Sequence, residues 1–240
     1  MSTIFDSIPE AGVPRDLLGP GTAILNGFAL GRETEVAFMM QAISKLAPFR
    51  HMITPDGFPM SVALTNCGRY GWVTDRTGYR YDSINPETGQ HWPGMPDNFL
   101  ELGRAAASTA GFPSFNPDAC LINRYEPGSR ITLHQDKNER DFTQPVVSVS
   151  LGLPATFLFR CMEHSDKTVR VPVRHGDIIV WGGPARLRYH GINPLNEGVH
   201  PTFRGYRYNL AFQNSRIGKS RGHDRLTGID TDPGGKGYVF

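Results

Sequence analysis

Cysteine is scarce in this 240-residue chain, with 3 residues, Cys67, Cys120 and Cys161, and no CxxC pair. This excludes a disulfide framework and a zinc site built on paired thiolates, and points to a reducing, cytoplasmic setting. Net charge is nearly absent as well. A formal +2 is too small to signal nucleic-acid binding by electrostatics alone. Long apolar runs are missing: the longest uncharged stretch, 142–159, is broken by Pro145, Gly152 and Pro154 and carries Ser148 and Ser150. It reads as two strands joined by a turn, so no membrane span is expected. Met1 to Asp6 lack a basic region followed by an apolar segment, so no secretion signal is expected either. No internal repeat or dimer-forming pattern occurs, and a monomer with one substantial core is the expectation.

What is abundant is turn chemistry, 27 Gly and 19 Pro, which favours strands over a helical bundle. Residues 1–20 form an irregular, Pro-rich leader, and 22–28 read as a strand. Val36, Met39, Met40, Ile43, Leu46 and Ala47 fall at helical spacing within 32–47, closed by Pro48. A second helical pattern starts at Asp97 and ends before Gly111 and Pro113. Between them, 51–96 carries Trp72, Tyr79, Tyr81 and Trp92 among turn formers, without helical period. It suits either a cover over a site or a scaffold hairpin with surface aromatics. Eight strands follow, at 119–125, 130–136, 146–151, 155–159, 168–173, 177–182, 186–191 and 206–213, the spacing of a sandwich or jelly roll. The two helices would buttress one sheet. The segment 214–240 is Gly-rich and basic, and between Arg204 and Arg225 six Lys or Arg stand against one acid, Asp224. It reads as a disordered, solvated tail, or as a phosphate contact.

The chemistry starts at Arg130 to Asp136. Alternation places Ile131 and Leu133 on one strand face and His134 and Asp136 on the other. His-x-Asp is a weak motif, and it recurs at His175-Gly176-Asp177. That second copy sits on a glycine turn and reads as structural. A third ligand for the first copy would be His190; His200, between Gly198 and Pro201, reads as a loop residue. Two imidazoles and a carboxylate form the facial triad of non-haem Fe(II) oxygenases, or else these are buried, hydrogen-bonded histidines. Strict alternation in 206–213 puts Arg207, Asn209, Ala211 and Gln213 on one face. Turned inward, Arg207 could hold a carboxylate bidentately; on an edge it would be a solvated charge.

Taken in order, Asn123-Arg124-Tyr125, His134-Gln135-Asp136-Lys137, His175-Gly176-Asp177 through Trp181-Gly182-Gly183, Tyr189-His190-Gly191 and Arg207-Tyr208-Asn209 resemble the AlkB family of Fe(II)/2-oxoglutarate dioxygenases. Met60 to Gly68, Gly71-Trp72 and Gly78-Tyr79 look like that family's nucleotide-recognition cover. The resemblance spans 21–213. It implies a mainly β, double-stranded β-helix (jelly-roll) domain with supporting helices, its core at 119–213 and its cover at 51–96.

By the same resemblance, His134, Asp136 and His190 would bind Fe(II). Asn123, Tyr125 and Arg207 would hold 2-oxoglutarate, with Asn209 beside them and Ser148 and Ile131 lining the pocket. Molecular oxygen would be the second cosubstrate. The implied reaction decarboxylates 2-oxoglutarate to succinate and hydroxylates an N-methyl group of a damaged base, 1-methyladenine or 3-methylcytosine in type, which leaves as formaldehyde. Alkylated single- or double-stranded nucleic acid would be the partner and DNA repair the setting. A target methyl within a base stack requires a flipped or single-stranded nucleotide. Trp72 with the His134 ring would sandwich it; Tyr79, Thr54 and Asn138 would contact substrate, and Met60 is a lesser candidate.

Three positions depart from the family. Asn138 stands where an acid is common, and it lacks the negative charge that favours a cationic methylated base. His164 lies nearest the position of a substrate-contacting Arg. Gln213 replaces a second Arg, for which Arg216 is a possible substitute by register. These departures motivate two alternatives: a dioxygenase of the same fold acting on modified RNA, protein or a small molecule, or a non-catalytic nucleic-acid-binding module.

Overall fold

The computed structural model describes residues 18–160 and 167–215. Thirteen strands and two α-helices run in the order β1 (Thr22–Leu25), α1 (Glu33–Leu46), β2 (Arg50–Ile53), β3 (Pro59–Gly68), β4 (Gly71–Asp75), β5 (Gly78–Asp82), α2 (Asp97–Thr109), β6 (Ala119–Tyr125), β7 (Ile131–His134), β8 (Val146–Gly152), β9 (Ala155–Arg160), β10 (Val169–Val173), β11 (Ile178–Trp181), β12 (Tyr189–Ile192) and β13 (Arg207–Gln213). A major sheet has the order β1-β11-β8-β13-β6-β3-β2, a minor sheet the order β10-β9-β12-β7, and β4-β5 stand apart as a hairpin. This is the expected jelly roll. The pairings within both sheets are antiparallel.

Period-two patterning sorts the side chains. On β13, Leu210 and Phe212 join the cluster under the helices, while Arg207, Asn209 and Gln213 line the interior cavity. On β11, Ile178 and Val180 face the helices, and Ile179 and Trp181 face the minor sheet. The helices meet this sheet through Val36, Met40 and Ile43 of α1 and Phe99, Leu102 and Ala106 of α2. Burying each large apolar side chain contributes about 1.5–3 kcal/mol. Gly103 lets α2 approach closely, since a Cβ there would lie 3.2 Å from the Phe212 ring.

Four differences from the sequence expectations matter. First, β2 and the ten-residue β3, which fall in the stretch expected as a cover, belong to the major sheet. They extend the major sheet beyond β6, with Leu64 opposite Asn123, because β3 is buried almost throughout and needs a partner on its edge. The portion of 51–96 that stands apart from the sheets as strands is the β4-β5 hairpin. Second, β7 stops at His134, two residues short of Asp136. Third, residues 183–185 form a short 3₁₀ turn, so the strand expected at 186–191 starts only at Tyr189. Fourth, the first strand ends at Leu25, before a run of turns. The leader through residue 17, Cys161, His164, and the tail from Arg216 lie outside the described residues.

Candidate active site

β7 and β12 are antiparallel neighbours, and their ladder sets His134 directly opposite His190. Each imidazole is oriented by a backbone carbonyl: His134 Nδ1 lies 2.9 Å from the Thr132 oxygen and His190 Nδ1 3.3 Å from the Arg188 oxygen. With the ring proton on Nδ1, each Nε2 presents a lone pair that can ligate a metal. They face one carboxylate. His134 Nε2 is 3.6 Å from Asp136 Oδ1, and His190 Nε2 is 3.5 Å from Asp136 Oδ2. One ligand atom from each of the three residues lies within 4.8 Å of the others, and no other such group of His, Cys, Asp or Glu occurs among the described residues. Two imidazole nitrogens and one carboxylate oxygen are the donor set suited to non-haem Fe(II).

The charges of the triad depend on one another. Burial raises the Asp136 carboxyl, but the two imidazoles outweigh it and hold it well below the usual range. Burial pulls His134 down, and Asp136 reverses the balance upward. For His190 burial prevails and the direction is downward. A carboxylate kept ionised in a partly enclosed site is ready to take a cation.

The same cavity holds a buried cation. Arg207 is 1 % exposed, with its guanidinium 4.8 Å above the Tyr125 ring centroid. Nη2 donates to Ser150 Oγ at 3.1 Å, while Nε and Nη1 have no hydrogen-bond partner among the described residues. Burial lowers the Arg207 guanidinium and pushes the Tyr125 phenol up to about 12, so the phenol stays protonated. Buried guanidinium N–H groups left unpaired are costly, and a carboxylate satisfies them bidentately. Asn123 Nδ2 donates to Asn209 Oδ1 at 3.1 Å, and Asn209 Nδ2 donates to Ser148 Oγ at 2.7 Å and to the Val149 carbonyl at 3.1 Å. Both N–H groups of Asn209 are therefore occupied within the protein, and its Oδ1 is left to orient Asn123. Ile131, Ser148 and Met60 line the cavity.

Trp72 and Tyr79 line it too, their rings stacked 5.7 Å apart at 21°. Burial, with the charge of Asp56, pushes the Tyr79 phenol up to about 12. Asn138 accepts from Trp72 Nε1 at 3.2 Å. Thr54 is placed differently. It closes the β2-β3 turn, with its hydroxyl accepting from Phe58 N at 3.2 Å and its backbone N donating to Phe58 O at 2.8 Å, and it is not among the cavity-lining residues. The His175 copy of His-x-Asp is a turn device: Asp177 accepts from Gly27 N at 2.9 Å and Arg174 N at 2.7 Å. His200 packs against His175 with ring centroids 4.4 Å apart and planes tilted by 45°, in an isolated bridge with Arg204.

Sequence reasoning missed Tyr81, Glu139 and Arg186. The Tyr81 hydroxyl is shared between Glu139 Oε1, at 2.6 Å, and Gln213 Oε1; Gln213 Nε2 donates to Asp136 Oδ2 at 2.8 Å. Arg186 pairs with Glu139 at 3.0 Å and donates to the Asp136 carbonyl at 2.8 Å. The spacing of Tyr79 and Tyr81, two apart and so on one strand face, is a signal that could have pointed to Tyr81.

The comparisons agree with the geometry. Residues 21–213 match the 2OG-Fe(II) oxygenase superfamily. Identity is 47 % over 212 residues to the alpha-ketoglutarate-dependent dioxygenase AlkB of Escherichia coli (strain K12), covering 88 % of this chain and 98 % of that one. It is 50 % over 212 residues to the same-named protein of Salmonella typhimurium, with the same coverage. The solved structure of OsALKBH1 superposes with a TM-score of 0.73 at 27 % identity, covering 82 % of this chain and 98 % of that one.

Proposed function

The chain belongs to the AlkB family within the 2OG-Fe(II) oxygenase superfamily, and we propose that it removes methyl groups from bases of the 1-methyladenine and 3-methylcytosine type through His134, Asp136, His190 and Arg207. It is an Fe(II)/2-oxoglutarate-dependent dioxygenase that oxidatively demethylates alkylated nucleic acid, the activity of DNA alkylation repair. One observation carries the residue assignment. A metal-competent triad and a buried guanidinium with two nitrogens unpartnered among the described residues share a single cavity, alongside a stacked Trp72-Tyr79 pair.

Fe(II) with 2-oxoglutarate and molecular oxygen supplies the oxidising power when bound, giving succinate, carbon dioxide and a hydroxylated methyl that departs as formaldehyde. The protein contributes positions and exclusion of water. His134, Asp136 and His190 would hold the metal, which would supply the oxidising chemistry with the two cosubstrates. Arg207 takes the distal carboxylate of 2-oxoglutarate; Tyr125 and Asn123 supply the polar wall beside it. The flipped base enters past Trp72 and Tyr79, whose rings present apolar faces for stacking. The inner faces of the two sheets keep bulk water from the reacting methyl.

The protein acts as a cytoplasmic monomer on single- or double-stranded nucleic acid in this reading, which rests on its cysteine scarcity and its lack of a dimer-forming pattern. Among the described residues no helix is long and apolar enough to cross a membrane. Asn138 supports a second reading, a shift toward modified RNA or another less cationic substrate, because its Oδ1 is engaged by Trp72 and carries no negative charge. Formaldehyde release from 1-methyladenine and 3-methylcytosine oligonucleotides, against methylated RNA and neutral methylated bases, decides between them.

A further inference from the structure

Asp136 lies past the end of β7, where no strand pairing holds it. Its orientation depends on side chains, and these form a closed ring. Gln213 Nε2 donates to Asp136 Oδ2 at 2.8 Å, and Gln213 Oε1 accepts from the Tyr81 hydroxyl. That hydroxyl is 2.6 Å from Glu139 Oε1; Glu139 pairs with Arg186 at 3.0 Å, and Arg186 donates back to the Asp136 carbonyl at 2.8 Å. Tyr81, Glu139, Arg186 and Gln213 are all buried.

The chemistry of the ring defines what residue 213 must be. An ionised Asp136 only accepts, so the amide nitrogen must face it and the amide oxygen must face Tyr81. The residue needs a donor at one end and an acceptor at the other. Arg keeps the donor and loses the acceptor; Met loses both. With Oδ2 engaged by the amide, Oδ1 is left for a metal. Tyr81, in turn, is directly opposite Trp72 in the β4-β5 ladder, and Tyr79 lies on the same strand. The amide thus connects the proposed iron carboxylate to the hairpin that presents the base-stacking rings.

We propose that Gln213 is a positioning residue: it orients Asp136 for metal binding and couples that orientation, through Tyr81, to the seating of the β4-β5 hairpin on substrate. This rests on the reading of Asp136 as an iron ligand. By linkage, substrate and metal then strengthen each other's binding.

The test is Co(II) titration calorimetry on the full chain, with and without a 1-methyladenine oligonucleotide, for wild type, Gln213→Met, Gln213→Arg and Tyr81→Phe. In wild type the oligonucleotide raises Co(II) affinity by about fivefold or more. Gln213→Met weakens Co(II) binding by about 10–100-fold; Gln213→Arg recovers most of it, because the guanidinium donates to Asp136 again. Tyr81→Phe and Gln213→Arg both lose the oligonucleotide effect. Should Gln213→Met fail to fold, these two variants carry the test. Unchanged Co(II) affinity in a folded Gln213→Met, or no recovery with Gln213→Arg, overturns the positioning role. No oligonucleotide effect in wild type, or its survival in Tyr81→Phe, overturns the coupling. A wild-type chain that binds no Co(II) overturns the iron-site reading itself, a distinct result.

Discussion

His134 and His190 lie directly opposite each other across the β7-β12 ladder, with ring centroids 4.3 Å apart and planes tilted by 50°. The close approach of the two strands depends on Gly191, where a Cβ would meet the carbonyl oxygens of Ile131 at 2.6 Å and Thr132 at 2.9 Å. Backbone oxygens cannot step aside as flexible side chains can. Gly191→Ala should therefore separate the strands, lowering stability by about 1–3 kcal/mol and weakening Co(II) binding at the displaced His190. Urea unfolding and metal titration on the same variant check both effects.

Two buried nitrogens of Arg207, Nε and Nη1, have no hydrogen-bond partner among the described residues, so a dicarboxylate should stabilise the protein more than a monocarboxylate does. Thermal melts with 2-oxoglutarate against pyruvate measure that difference. Arg207→Lys loses the planar fork and should raise the 2-oxoglutarate KM by roughly 10–100-fold, the worth of one or two charge-assisted hydrogen bonds. Equal stabilisation by both ligands would place the cosubstrate elsewhere.

Trp72 and Tyr79 form the aromatic face of the cavity. Trp72→Ala should cost about 1–3 kcal/mol of affinity for methylated single strands, the value of one base stack. Fluorescence anisotropy reads this loss. Succinate formation without nucleic acid should persist in the variant, since the ring touches neither the triad nor Arg207 in this assignment.

Burial and the neighbouring charge of Asp136 raise the Glu139 carboxyl above its ordinary value of 4.5, against the opposing pull of Arg186. The folded state then holds the Glu139 proton more tightly than the unfolded chain. Glu139's contribution to stability is fully present below pH 4.5 and lost as pH rises through its folded pKa. Denaturant unfolding of the metal-free protein between pH 4 and 7 should show this decline, and Glu139→Gln should flatten it. A slope unchanged by the substitution would assign the decline to other groups.

Much of this site can be read from alternation. The strict pattern on β13 predicts that Arg207, Asn209 and Gln213 share a face, and they line one cavity. The turn residues around His175 and His200 separate them from His134 and His190, as the structure shows. Alternation misplaces Asp136 as a strand residue. β12 starts at Tyr189 and pairs its His190 with His134, so residues beyond His134 have no opposing strand to keep them extended. The ring through Tyr81 and Gln213 joins residues 132 positions apart, and no periodicity reports on contacts between separate elements. Gln213 reads in the sequence as a missing arginine. In the fold its amide is engaged at both ends.

The central claim is best tested by coupled product counting. Wild-type protein with Fe(II), 2-oxoglutarate and oxygen is given 1-methyladenine or 3-methylcytosine oligonucleotides, and succinate and formaldehyde are measured together, with Asp136→Ala as control. The account predicts that the two products appear in near-equal amounts with methylated oligonucleotide, and that Asp136→Ala yields neither. Succinate without formaldehyde on every methylated base, or turnover surviving in Asp136→Ala, would contradict it.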